Sequence, residues 1–196
     1  SPEELPESSL SYMLGVVGEE LTDSLGYFVT DEAGLEVERL EAVLRERMSG
    51  SMPLLVAGTA FSFVHCLDSL SKRGKTLDLP EGSRNMETGG FKGRSREVES
   101  TELYRALTER LSVPEDHIVN EYGMTELLSQ YYEPVLLGRP RMHVSPQWLR
   151  TLIVDPATLA PLPDGESGLI EHFDLANLNS VSAVLTEDVG VLTPEG

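Results

Sequence analysis

The sequence predicts an α/β fold in which a parallel βαβ core is followed by a smaller antiparallel β portion. Between residues 35 and 133, short apolar runs bounded by Pro or Gly alternate with segments whose apolar residues recur every three to four positions. That alternation implies parallel strands joined by right-handed helical crossovers. From about residue 134, Pro and Gly become frequent and apolar runs are joined by turn dipeptides, the texture of hairpins. The expected organisation is an α/β portion over 1–133 and a β-rich portion over 134–196.

Each element has a local reason. Leu35 to Met48 places apolar residues at 37, 40, 44 and 48 opposite Glu36, Glu38, Arg39, Arg45 and Glu46, the stripe of a surface helix. Pro53 to Gly58 suits a strand buried on both faces. Thr59 can cap a helix whose stripe is Ala60, Phe63, Val64, Leu67 and Leu70, ending near Gly74. Ser83 to Glu87 reads as a second strand, followed by the loop Thr88 to Gly93. Ser100 or Thr101 can cap a third helix carrying Leu103, Leu107 and Leu111. His117 to Tyr122 reads as a third strand, with a helix expected from Met124. In the β-rich portion, Leu149 to Val154 and Gly168 to Phe173 read as strands, with turns at Asp155-Pro156 and Pro163-Asp164-Gly165.

Composition narrows the function classes. The 196 residues carry 15 Lys and Arg against 33 Asp and Glu, a formal net charge of −18. Such a chain is repelled by phosphate polyanions, which argues against non-specific nucleic-acid or anionic-membrane binding. The apolar runs are too short to span a bilayer. One Cys excludes an internal disulfide framework and a Cys-rich zinc site. With no charged-then-apolar opening segment, a cytoplasmic location is the default expectation.

Several signals are weak. Gly74-Lys75-Thr76 lacks the earlier glycine and the preceding strand of a phosphate-binding loop. Gly165-Glu166-Ser167-Gly168 reads as a hairpin turn rather than a nucleophile elbow. His65, His117, His143 and His172 have no metal-ligand spacing. Cys66 reads as a buried thiol. Lys72, Arg73, Lys75, Arg84, Lys92, Arg94 and Arg96 form a local basic excess, either a solvated loop or a patch facing an anion. The glycines of the loop Gly89-Gly90-Phe91-Lys92-Gly93 would let backbone N–H groups approach such an anion.

Asn120-Glu121-Tyr122-Gly123-Met124-Thr125-Glu126 resembles the Tyr-Gly-x-Thr-Glu motif of the acyl-adenylate-forming superfamily. Three further segments agree in order: Gly89-Gly90; Val154-Asp155-Pro156 through Gly165-Glu166-Ser167-Gly168-Leu169; and Thr186-Glu187-Asp188, similar to a Thr-Gly-Asp ribose motif. Gly58-Thr59-Ala60-Phe61, Leu79 to Arg84, Met86 to Glu97 and Tyr122 to Leu127 together resemble the acyl-protein synthetases, which activate fatty acids for the reductase of bacterial bioluminescence.

The resemblance implies the second half of the large N-terminal domain of an adenylate-forming enzyme, with ATP and Mg²⁺ as cofactors. Its substrate would be a long-chain fatty acid, its partners acyl-accepting or reductase protein subunits; self-association stays open. It assigns Glu126 to Mg²⁺ and Thr125 to the α-phosphate. Gly89, Gly90, Asn120, Tyr122 and Gly123 would lie on the adenine side, and Asp188 would take the ribose hydroxyls. Thr59, Ala60, Phe61 and Phe63 would line the acyl pocket. Taken singly, Tyr122 and Phe61 also read as core aromatics, Glu126 as a first-turn helix acid and Asp188 as a loop acid.

The chain departs from the superfamily at Glu187, where the ribose motif usually has Gly, and it holds no Ser/Thr/Gly-rich phosphate loop. The catalytic Lys and acyl-accepting Cys of the family would lie beyond Gly196. The expectation is a fragment, inactive by itself. Two alternatives stand beside it: a CoA ligase of the phenylacetate type, and a non-catalytic docking fragment that uses the basic patch.

Overall fold

The computed structural model describes residues 1–3, 8–30, 34–89 and 98–194. The chain forms two compact units, Ser1–Asn120 and Glu121–Gly196. The packing therefore divides at 120/121, within a strand, whereas the texture of the sequence changes near 134.

The first unit opens with α1 (Ser9–Leu21), capped by Ser8, whose hydroxyl accepts from Ser11 N–H at 3.2 Å. The sequence reading missed this helix: interior Gly15 and Gly18 lower its intrinsic propensity by about 1 kcal/mol each. A two-residue antiparallel pair, β1 (Val29–Thr30) and β2 (Gly34–Leu35), leads into α2 (Val37–Met48). Then come β3 (Leu55–Thr59), α3 (Ala60–Lys72), β4 (Arg84–Thr88), α4 (Ser100–Leu111) and β5 (Ile118–Tyr122).

β3 and β4 are parallel, with Leu55 opposite Arg84 and Thr59 opposite Thr88, and β5 lies beside β4. The expected strand–helix–strand order is thus present. Among the described residues β3 stands at the edge of its sheet; Leu55 is 49% exposed and no residue of the strand is fully buried, so it is not buried on both faces. Thr59 caps α3 as expected, accepting from Ser62 N–H at 3.2 Å. Glu99, not Ser100 or Thr101, precedes α4, and it makes no side-chain capping bond. The core is the meeting of the helical stripes: Val37, Leu40 and Leu44 of α2, Phe63, Val64, Leu67 and Leu70 of α3, and Leu103, Leu107 and Leu111 of α4.

α2 also buries an acid. Glu41 is 6% exposed and receives Arg45 Nε at 2.9 Å, Arg73 Nη1 at 2.7 Å and Lys75 Nζ at 2.6 Å. The hydrogen bonds from Lys75 and Arg45 lead in lowering its pKa from 4.5 to about 2, against the opposing effect of burial. A depressed carboxylate pKa gives stability that is present above the unfolded value and lost as pH falls towards the folded one. The first unit should therefore weaken between pH 4.5 and about 2. Glu41→Gln should flatten that limb and cost about 1–2 kcal/mol at neutral pH, the partly exposed cations limiting the effect. Hydrogen exchange of α2 and α3 amides against pH checks this; an unchanged acid limb in Glu41→Gln refutes it.

In the second unit, Glu121 and Tyr122 at the end of β5 pair antiparallel with β6 (Tyr131–Tyr132). A three-stranded antiparallel sheet follows: β7 (Leu149–Val154), β8 (Ser167–Asp174) and β9 (Ala183–Val191), with β8 central. β7 and β8 match the two expected strands closely. In the turn between them Gly165 has φ +87°, a conformation that favours glycine. At Gly168 a Cβ would strike the Val154 carbonyl oxygen, which accounts for the second glycine of that motif. No described helix is long and apolar enough to cross a membrane.

Candidate functional site

In the first unit the expected residues gather at the carboxyl ends of the parallel strands, where α/β sheets bind ligands. Thr59 ends β3 beside Thr88, which ends β4, and exposed Gly89 follows with φ +70°. Of the expected acyl-pocket residues, Thr59 is the cap of α3, while Ala60 and Phe63 are buried in the core at 4% and 6% exposure. Phe61 is half-buried, its ring 6.4 Å from that of His65. Asn120 Nδ2 donates to buried Glu87, which also accepts from Tyr104 O–H at 2.9 Å. Gly90 and the basic residues Lys92, Arg94 and Arg96 lie outside the described residues.

The remaining expected residues belong to the second unit. No helix begins at Met124. The chain makes one turn, Leu127 N–H bonding the Met124 carbonyl at 3.1 Å, and then leaves the helical path. Tertiary bonds take the backbone groups that a helix needs. Asp174 accepts from Leu128 N–H at 2.9 Å and from Ser129 O–H at 2.9 Å, and Asn177 Nδ2 donates to the Glu126 carbonyl at 3.0 Å. Asp174 is fully buried, accepts also from Ala176 N–H at 3.0 Å, and so acts as a clamp on the motif loop. Thr125 and Glu126 consequently stand exposed on a held turn. At Gly123 a Cβ would lie 2.5 Å from the Glu121 carboxylate, so a larger residue there would have to displace that side chain.

Tyr122 and Asp188 are brought together, the phenol donating to Asp188 Oδ2 at 2.8 Å. A bulge aims the acid. Leu169 faces Val189 and Glu171 faces Leu185, so Ile170 alone opposes Thr186, Glu187 and Asp188. Thr186 Oγ1 donates to the Ile170 carbonyl at 3.0 Å and accepts from Asp188 N–H at 3.2 Å, filling the gap in the ladder. Around Tyr122 the rings of Tyr131, His143 and His172 stand 5.7, 5.9 and 5.9 Å away. Burial first, and the bond to Asp188 second, raise the Tyr122 phenol pKa, so it remains a donor. Asp188 itself is exposed and open to a further donor.

Sequence reasoning missed Asp174, Asn177, His172 and Tyr131. Asp174 and Asn177 flank a turn directly after a strand, a position where Asx side chains bond nearby backbone, and that was the available signal. Nothing local marked His172. Within the described part of the basic patch, Arg73 and Lys75 are held by Glu41. Among the described residues no group of His, Cys, Asp and Glu has metal-binding geometry. Burial pushes the Cys66 thiol up to about 11, which suits an inert core residue.

Over residues 10–195 the chain matches the family described as acyl-protein synthetase, LuxE. It is 26% identical over 187 residues to the long-chain-fatty-acid–luciferin-component ligase of Vibrio harveyi, covering 94% of this chain and 47% of the relative. Its identity to the ligase of the same name from Aliivibrio fischeri is 23% over 169 residues, covering 84% and 43%. The chain thus spans about half the length of these curated relatives. Its fold is similar to that of a long-chain-fatty-acid-CoA ligase from Archaeoglobus fulgidus, with a TM-score of 0.57 at 17% identity over 83% of this chain and 36% of that one. A 2-hydroxyisobutyryl-CoA ligase in complex with 2-HIB-AMP and CoA gives 0.57 at 15% identity, over 81% and 34%. Bounded by the match over nearly its whole length, the chain belongs to the acyl-protein synthetase family, LuxE.

Proposed function

We propose that the protein to which this chain belongs activates a long-chain fatty acid with ATP and transfers the acyl group to a protein thiol. The observation that carries the reading is the bond between Tyr122 and Asp188 in the expected order of motifs. The fatty-acid carboxylate attacks the α-phosphorus, the bond to pyrophosphate breaks, and an acyl-AMP anhydride forms. A thiolate then attacks the acyl carbon and AMP leaves.

The residues suit the groups assigned to them. An exposed carboxylate whose one oxygen is fixed by a phenol can accept from a ribose diol. Glu126, an exposed carboxylate on a clamped turn, would hold Mg²⁺, which takes one or two protein carboxylates and completes its shell with phosphate and water. The ion would supply charge neutralisation at the phosphates. Thr125 would hydrogen-bond the α-phosphate from the same turn.

The test uses the full-length protein, ATP, Mg²⁺ and a labelled long-chain fatty acid. Label held on the protein and released by hydroxylamine supports the reading. Label appearing instead as free thioester when coenzyme A is supplied favours a CoA ligase. No fatty-acid-dependent ATP–pyrophosphate exchange overturns adenylation and leaves the docking alternative.

A further inference from the structure

His172 sits in the middle of β8, opposite Thr151 of β7 and Val184 of β9, and is 1% exposed. Both ring nitrogens face phenols. Nδ1 lies 2.7 Å from Tyr131 O–H, and Nε2 lies 3.5 Å from the Tyr122 oxygen. Tyr131 is also bonded to Thr151 Oγ1.

The proton directions follow from one fixed end. Asp188 as a carboxylate can only accept, so the single Tyr122 proton points at Asp188. The Tyr122 oxygen can then serve His172 only as an acceptor, which puts the imidazole proton on Nε2. Nδ1 is therefore bare and takes the proton of Tyr131, and the Tyr131 oxygen takes that of Thr151. The result is a one-way chain: Thr151 to Tyr131 to His172 to Tyr122 to Asp188. Each bond polarises the next. Burial lowers the His172 pKa, against the charges of Asp188 and Asp174, which favours the neutral ring this order needs.

We propose that His172, as the neutral Nε2–H tautomer, is a positioning residue that makes Tyr122 a fixed donor to Asp188 and so sets the acid for the nucleotide ribose. This rests on the adenylation reading and adds to it a residue that touches neither substrate nor metal.

Two measurements on the full-length enzyme test it. Nitrogen NMR of the labelled imidazole should show Nε2 protonated and Nδ1 bare; a proton on Nδ1 alone overturns the chain. In ATP–pyrophosphate exchange, His172→Phe should raise the KM for ATP about five- to tenfold with kcat little changed, the loss expected for one mispositioned hydrogen bond. His172→Gln, whose amide keeps a donor near Nε2, should recover most of that loss. Equal KM values in His172→Phe and wild type, or no recovery by Gln, overturn the positioning role. Wild type without any exchange overturns the kinetic role together with adenylation, while the tautomer is still read separately.

Discussion

Glu126→Gln in the full-length enzyme is expected to slow acyl-adenylate formation by about 10²- to 10³-fold, the scale of removing one charge-stabilising group from a transition state. The folded chain should hardly notice. The Glu126 side chain is exposed and makes no hydrogen bond or ion pair among the described residues; only its carbonyl is engaged, by Asn177. Gln keeps the length and shape and removes the charge, so stability should move by no more than about 0.5 kcal/mol. The expected signature is therefore kinetic without being structural, with the Mg²⁺ dependence of exchange lost alongside the rate. Exchange at wild-type rates with an unchanged Mg²⁺ requirement removes Glu126 from the mechanism.

Asp174→Asn should do the reverse and act first on stability. Asp174 Oδ1 accepts from Ser129 O–H and Ala176 N–H, and Oδ2 accepts from Leu128 N–H. An amide can match only one of these oxygens. With its oxygen at the Oδ1 position, its NH₂ faces the Leu128 N–H, setting donor against donor in a fully buried place. The expected cost is about 2–4 kcal/mol, from one lost charge-assisted bond and one unsatisfied donor. Trp148 is the sole tryptophan, and its indole N–H donates to Ser129 Oγ at 3.0 Å, one bond from Asp174. Urea unfolding followed by its fluorescence reads the change directly. A midpoint and slope equal to wild type would show that the motif loop holds without the clamp.

These two substitutions mark what was legible in the sequence and what was not. The helices over Val37–Met48, Ala60–Lys72 and Ser100–Leu111 were written in apolar spacing, because each buries one stripe. The hairpin between β7 and β8 was written in its glycines. The helix expected at Met124 fails for a reason fifty residues away: Asp174 and Asn177 compete for the same backbone groups, and local pattern cannot register a distant competitor. The edge position of β3 was hidden for a similar cause, since an apolar run says that neighbours exist but not how many. Glu41 escaped notice because a buried acid looks like any other charge on a helix until Arg73 and Lys75 arrive from a later segment. Tyr122 and Asp188 were each nameable from their motifs. Their hydrogen bond was not, because it depends on three residues of β9 standing opposite one of β8.

That three-against-one arrangement makes the stretch from Leu185 to Val189 sensitive to length more than to composition. Glu187 can change its chemistry there without disturbing the ladder, since it is exposed and the gap is filled by Thr186. Deleting a single residue between Thr186 and Asp188 would change how many residues of β9 stand against Ile170 and so re-aim the carboxylate. Among divergent relatives this is where insertions and deletions should be rarest, even where the letters differ.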